Sequence, residues 1–497
     1  MNAPASTGMR FEDRLNPILV KEVRQALRGK YFRVLFWITL FVGTLIGLGV
    51  VAGSVSSGSS DAGRVFFMSI FGVLAAAVHC FVPFSAFLST SSEWDENTYD
   101  LLIISNLRPR QIVQGKLLSA LIQSLLYYST FGPFLVFAFL LNGIDLGSVL
   151  VILAGSAATS VTLTLVGIAA SSLATNKVMR IVVMALFGVG LIAAWGMTLG
   201  FAAGITFEPQ VLSSIEGQIT FVAYLTVAAV VALLAQSVAV GRFAHEEENR
   251  STPLRVMTTL LVLFASAWGG WLVAQFGDPQ SLFACHAGAA ALLFFPWLVS
   301  ATEPEELGRR ASALGTRKRL ASLLAVPFLP GGGRAASLCF AQAALAIMSS
   351  QVALAAAGAG ALTSDSTLLA IAALYTYGLA YVVLPAGVAA YFLRRHSARV
   401  LLRVLLVVAI PLGIVLPAML SLFLGAGAGS AFSHPLNPFS TLFDIQFGDA
   451  SPQALVLLAL ALALTLLVNA PRMFAGWREV LRARRAREQE TLDAPRA

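Results

Sequence analysis

Residues able to do chemistry gather in few places along this sequence, and the densest is residues 91–116, SSEWDENTYDLLIISNLRPRQIVQGK. Four acids open it (Glu93, Asp95, Glu96, Asp100), Leu101, Leu102, Ile103 and Ile104 follow, and Arg108, Arg110 and Lys116 close it. Acid, apolar and base in that order suit docking rather than catalysis. A loop gains no solubility from four adjacent large apolar residues, so they pack under their own bundle or seat in a partner's groove. His79-Cys80 and Cys285-His286 offer the nitrogen and sulfur ligands that zinc and copper take. Adjacent helical residues point about 100° apart, which makes double ligation awkward, and packing inside a span is the plainer reading. Convergent carboxylates or paired histidines, as an embedded enzyme needs, are not found. A phosphate loop needs G-x-x-x-x-G-K-[ST]. Gly29-Lys30 and Gly115-Lys116 lack both the earlier glycine and the following hydroxyl. The expectation is a chain that hydrolyses no ATP itself and carries no cofactor or metal.

A second segment, LNPILVKEVRQALRGKYFR, has the pattern of an amphipathic helix. Asn16 can cap it and Pro17 suits the first helical position. Leu15, Leu19, Val23, Ala26 and Leu27 fall on one face, with Lys21, Arg24, Gln25 and Arg28 on the other. Gly29 is placed to terminate it. Such a helix lies in the membrane interface with its bases toward anionic headgroups, so membrane lipid is an expected partner. A plain topology anchor is the alternative.

The elements that position these segments follow from composition. Of 497 residues 57% are hydrophobic and 12% charged, and mean hydropathy is +0.80. Soluble domains carry about 25% charged residues, and disorder needs low hydrophobicity. What remains is a chain solvated by lipid. A helix crosses the bilayer in about 20 apolar residues. Twelve stretches qualify: 34–52, 65–90, 117–141, 149–174, 181–206, 219–241, 256–274, 281–300, 335–361, 368–393, 404–425 and 453–470. The odd-numbered gaps hold one base, Arg64, and eight acids, whereas the termini and the other gaps hold 32 of the 33 Lys and Arg. The basic face is the cytoplasmic one. This asymmetry accounts for the net charge of +8 and removes the need for nucleic acid as a partner. It also leaves no Asp, Glu, Lys or Arg for the interior, where ion-coupled carriers keep their relays. A polar lead of 33 residues is too long for a cleaved signal, and the apolar run that follows is longer than a signal's core of about 7–15 residues, so the first span is expected to stay as an anchor. All three cysteines fall in spans, which gives a disulfide framework no support.

The expected fold is therefore an all-α integral membrane protein with twelve transmembrane helices and both termini cytoplasmic. Gap lengths repeat with the rhythm of two parallel six-helix halves. The divisions are residues 1–33 (tail and amphipathic helix), 34–241 (first half, with loop 91–116), 242–255 (connector), 256–470 (second half, with inner loop 301–334) and 471–497 (basic tail). Residues 149–174 are rich in Gly, Ser and Thr; close helix packing accounts for them, and lining a substrate path is the other reading.

The run NPILVKEVRQALRGKYF, one span, and then SEWDENTYDLLIISNLRPRQIVQGKLL resemble the ABC-2 type permeases of ABC transporters. The matching positions are Glu93, Glu96, Thr98, Leu101, Leu102, Arg110, Ile112, Gly115 and Lys116, with Tyr99, Asp100 and Arg108 inside the same segment. LNPFSTLFD at residues 436–444 resembles the segment such permeases carry before their last span. The resemblance implies an interfacial elbow helix and a coupling loop seated in a separate ATP-binding subunit, present as a homodimer or pair. It further implies alternating-access export across a bacterial cytoplasmic (inner) membrane, with the permease itself able to dimerise. The chain departs from the family in having twelve spans for the usual six, in Asn106-Leu107 where Thr-Pro is commoner, and in a loop 301–334 without the acidic, Leu-Leu pattern. An ion-coupled secondary carrier is the alternative. The stretch Glu305 to Leu320 is similar to the basic loop of major facilitator carriers but lacks their glycine and aspartate pattern.

Overall fold

In lipid no water satisfies a bare amide, so a crossing segment closes its hydrogen bonds within one helix. The computed structural model describes residues 17–57, 62–95, 108–141, 144–173, 177–208, 210–244, 250–305, 324–358, 361–392, 415–421, 423, 434–447, 449 and 451–493. Among them there is no strand, and eleven helical stretches are long and apolar enough to cross a membrane. They coincide with eleven of the twelve expected spans; the expected span 404–425 lies largely outside the described residues, of which 415–421 are helical.

The chain divides into two compact units, Met1–His245 and Glu246–Ala497. In the first, α1 (Pro17–Arg28) and α2 (Lys30–Ser57) are separated by Gly29 alone. α3 (Ala62–Ala76) passes through a π-turn, Ala77–Phe81, into α4 (Val82–Asp95). α5 (Pro109–Leu140), α6 (Leu146–Leu173), α7 (Lys177–Phe207), the short α8 (Gln210–Ser213) and α9 (Ile215–Phe243) complete it. Its core is Phe67, Ile70, Phe71 and Leu74 of α3 against Tyr127, Phe131 and Leu135 of α5. The second unit contains α10 (Thr252–Phe276), α11 (Gln280–Ala301), α12 (Gly332–Ala356) and α13 (Ala361–Gly378). A second π-turn, Leu379–Val383, joins α13 to α14 (Leu384–Phe392), and α15 (Pro438–Phe447) and α16 (Pro452–Asp493) follow.

The two π-turns were not expected, and they share a cause. Each ends two residues before a proline, Pro83 or Pro385, whose ring has no N–H to donate. In each the next amide reaches back five residues, Val82 to Ala77 and Leu384 to Leu379. Neighbouring helices supply donors to carbonyls of both turns: Ser160 Oγ to Val78 O at 3.0 Å, and Asn469 Nδ2 to Val383 O at 3.3 Å. A Cβ on Gly387 would fall 2.6 Å from Asn469 Oδ1, so glycine is what lets α16 come this close.

Several expected boundaries move. α4 runs to Asp95 and α5 starts at Pro109, so Glu93 and Asp95 at one end of segment 91–116 and Arg110 and Lys116 at the other are helical. The connector 242–255 is shortened from both sides, by α9 to Phe243 and by α10 from Thr252. α16 continues through the expected tail to Asp493, with Pro471 inside it. Charged residues at span ends are good helix formers, and hydropathy detects only the part inside the hydrocarbon.

Candidate functional site

Two residues of the segment singled out by its charges, Glu93 and Lys116, belong to a buried ion cluster. Lys116, one turn inside α5 beyond the buried Ile112, is only 3% exposed. Its Nζ lies 2.9 Å from Glu93 Oε2 at the end of α4 and 3.1 Å from Glu22 Oε1 on α1. Lys21 Nζ approaches Glu93 Oε1 at 3.4 Å, and Ser89 Oγ donates to Glu22 Oε2 at 3.3 Å. The end of α4, the start of α5 and α1 are thus tied together. Ile18 and Glu22 are buried one helical turn apart, so the inner face of α1 carries an acid among its apolar residues.

Of the sequence candidates, the structure brings together Glu93, Lys116 and Lys21. Arg24 and Arg28 lie exposed on α1, and Arg108 and Arg110 lie exposed around the start of α5. Gln111 Oε1 accepts from the Arg108 amide at 2.9 Å, which closes the first turn behind Pro109. Gly115 is buried beside Lys116, and Pro17 opens α1. Asn16, Glu96, Thr98, Tyr99, Asp100, Leu101 and Leu102 lie outside the described residues.

The second unit has a cluster that sequence reasoning missed, formed by residues 251–255, 303–305, 327–334, Arg472 and Glu479. Arg255, 1% exposed in the first turn of α10, holds Glu303 Oε2 at 2.7 Å. The same guanidinium donates to the carbonyls of Pro327 at 2.9 Å, Gly331 at 3.1 Å and Leu329. Ser251 Oγ and the Gly331 amide both donate to Glu303, at 2.7 and 3.1 Å. Arg334, fully buried at the start of α12, pairs with Glu479 at 2.9 Å and donates to Glu305 O and Pro330 O. Arg472 pairs with Glu305 at 2.8 Å. Gly331 has φ +128°, a backbone region that L side chains avoid. A signal was present. Arg255 continues the buried stripe Thr258, Val262, Ser266, Gly269 and Val273 by the helical period.

Each unit also buries one histidine among hydroxyls. His79 Nε2 sits 3.0 Å from Ser156 O and 3.1 Å from Ser156 Oγ, which Tyr128 OH reaches at 2.8 Å. His286 uses both ring nitrogens: Nε2 faces Ser266 Oγ at 3.0 Å and Ser350 Oγ at 2.8 Å, and Nδ1 faces Tyr375 OH at 3.1 Å. The hydroxyls of α6 are spent on helix packing, Ser156 on His79 and Ser160 on Ser124 at 3.1 Å. Cys80, Cys285 and Cys339 are free thiols. Chemically, the two ion clusters can hold loops and transmit force, and the histidines can hold helices together.

No protein-family model, curated protein or solved structure matches this chain.

Proposed function

We propose that this chain is the twelve-span permease subunit of an ATP-driven exporter in a bacterial inner membrane, both termini cytoplasmic, powered by a separate pair of ATP-binding subunits. The observation that carries the reading is the Glu22–Lys116–Glu93 cluster. A push delivered to residues 96–107 from the cytoplasm cannot move α4 alone. It must carry α1 and α5 too, because Lys116 bonds to acids on both α1 and α4. Removing one member of a buried ionic set leaves an uncompensated charge, at about 3–5 kcal/mol, so the three helices stay joined under load. The bundle then alternates between inward and outward access as the partner closes on ATP and opens after hydrolysis. The inner loop of the second unit, rooted by Arg255 and Arg334, provides a fixed counterpart.

The test is to purify the chain with its cytoplasmic partners and measure ATPase activity in nanodiscs. Leu101→Arg with Leu102→Arg, or Glu96→Lys, is expected to abolish stimulation of a co-purifying ATPase while leaving thermal stability unchanged. Unaltered stimulation, or the absence of any phosphate-loop chain among the partners, removes the proposal.

A second reading, an ion-coupled carrier, draws on the buried His79 and His286, since ionisable groups inside a bilayer are function candidates by default. Transport sustained by a proton gradient without ATP would favour it.

A further inference from the structure

α15 is a ten-residue helix facing three different surroundings. Thr441, Leu442 and Ile445 are buried, packed with Ala370, Ala373 and Tyr377 of α13. Phe439, Phe443 and Phe447, spaced by four, form an exposed ridge at 74%, 63% and 54% exposure, with Leu436 leading into it. The rings of Phe443 and Phe447 are 4.5 Å apart. Ser440 and Asp444 fall in a third sector by the helical period, flanking the ridge on the side away from Gln446. The helix is held in this rotation from both sides. Tyr377 OH and Tyr381 OH donate to Pro435 O and Leu436 O, each at 2.6 Å, and Asn437 Oδ1 accepts from the Phe439 amide at 3.1 Å.

We propose that α15 is an in-plane lipid anchor: its Phe439–Phe443–Phe447 ridge is inserted among the acyl chains of the membrane leaflet on the acid-rich face. A helix packed on protein along one side meets lipid and water along the rest, and α15 carries one sector of each chemistry. Three exposed phenylalanines in one row are an apolar patch that water does not tolerate without a use. The ridge is continuous with lipid-facing surface, because α16 begins five residues after α15 and exposes Val456, Leu457 and Leu460 in its first turns. No base lies within α15 or between it and α16, so the attraction is apolar rather than to headgroup charge. The proposal is independent of the energy source and of any ATPase partner.

Spin labels give the test. With Cys80, Cys285 and Cys339 replaced by alanine, Phe443→Cys, Phe439→Cys and Asp444→Cys are labelled singly in phosphatidylcholine vesicles, with and without phosphatidylglycerol. Collision with oxygen and with a neutral nickel chelate is then measured. Labels at Phe443 and Phe439 are expected to meet oxygen and be shielded from nickel, at a depth of about 5–10 Å below the headgroup boundary, with or without the anionic lipid. The label at Asp444 is expected to meet nickel. Nickel access at both ridge positions, the result for a ridge in water, overturns the proposal. Shielding from both reagents, the result for a ridge covered by a second copy or another protein, overturns it too.

Discussion

Each unit has an ion-cluster root, and the two are built on different cations. In the first unit a lysine joins two carboxylates from two other helices, and every partner is a side chain. In the second, Arg255 binds one carboxylate and three backbone carbonyls, while Arg334 adds a carboxylate and two carbonyls. An ammonium offers three donors on a flexible stem, and a guanidinium offers five in a planar fork. The arginine root therefore fixes the path of the backbone through residues 327–331, whereas the lysine root fixes only how three helices stand together.

The comparison can be broken by substitution. Arg255→Ala should be the most damaging, since it leaves the Glu303 charge uncompensated and takes a donor from the Pro327 and Leu329 carbonyls; a loss of about 5 kcal/mol is expected in thermal or denaturant unfolding in detergent. Arg255→Lys should recover little, because one ammonium cannot reach four acceptors. A near-full recovery would erase the distinction drawn between the roots. Lys116→Met should cost about 3 kcal/mol, and adding Glu22→Gln with Glu93→Gln should restore most of it, because neutral partners are left without a charge to compensate. Failure of the triple variant to recover would show that packing, not charge, holds α1. The two histidines sharpen the contrast between units at a smaller scale. His286→Ala, which takes the ring partner from Ser350 and Tyr375, should cost about 2–3 kcal/mol, and His79→Ala about 1 kcal/mol. The reverse ranking by unfolding temperature would contradict the hydrogen-bond geometry.

The smallest effect concerns a helix start. Asp145 accepts from Ser148 Oγ at 2.6 Å and from the Ser148 amide at 2.8 Å at the opening of α6. These bonds hold its carboxyl below the usual carboxylate range. A depressed folded pKa means stability that is present above the unfolded value, about 3.9, and is lost as pH falls through the folded one. Asp145→Asn should remove that acid-side dependence, and Asp145→Ala should cost about 1 kcal/mol at neutral pH. An unchanged pH profile in the asparagine variant would remove the carboxylate from this role.

Much of the frame was legible because lipid demands a long, uninterrupted apolar run, and such runs are visible one residue at a time. The segment 91–116 was legible as charged, yet its meaning was divided. Glu93 and Lys116 turned out to bond to the bundle's own α1, and Glu22 was passed over because an acid on the apolar face of a short helix looks like noise. Arg255 and Arg334 were counted only among the bases of the face read as cytoplasmic. Their burial depends on a loop 70 or more residues from Arg255 turning its carbonyls toward it. The π-turns had a local cue in Pro83 and Pro385, but a proline also kinks or ends a helix. Only donors arriving from Ser160 and Asn469 decide among those outcomes.

The sequence by itself determined that the chain is helical and multi-pass, since hydropathy and backbone hydrogen bonding are properties of each segment alone. Tertiary structure decided which charges are buried and paired, which serines pack against which histidine, and which side of α15 is left bare. Those properties belong to pairs of segments far apart in the chain, and no run of residues carries them until the helices have met.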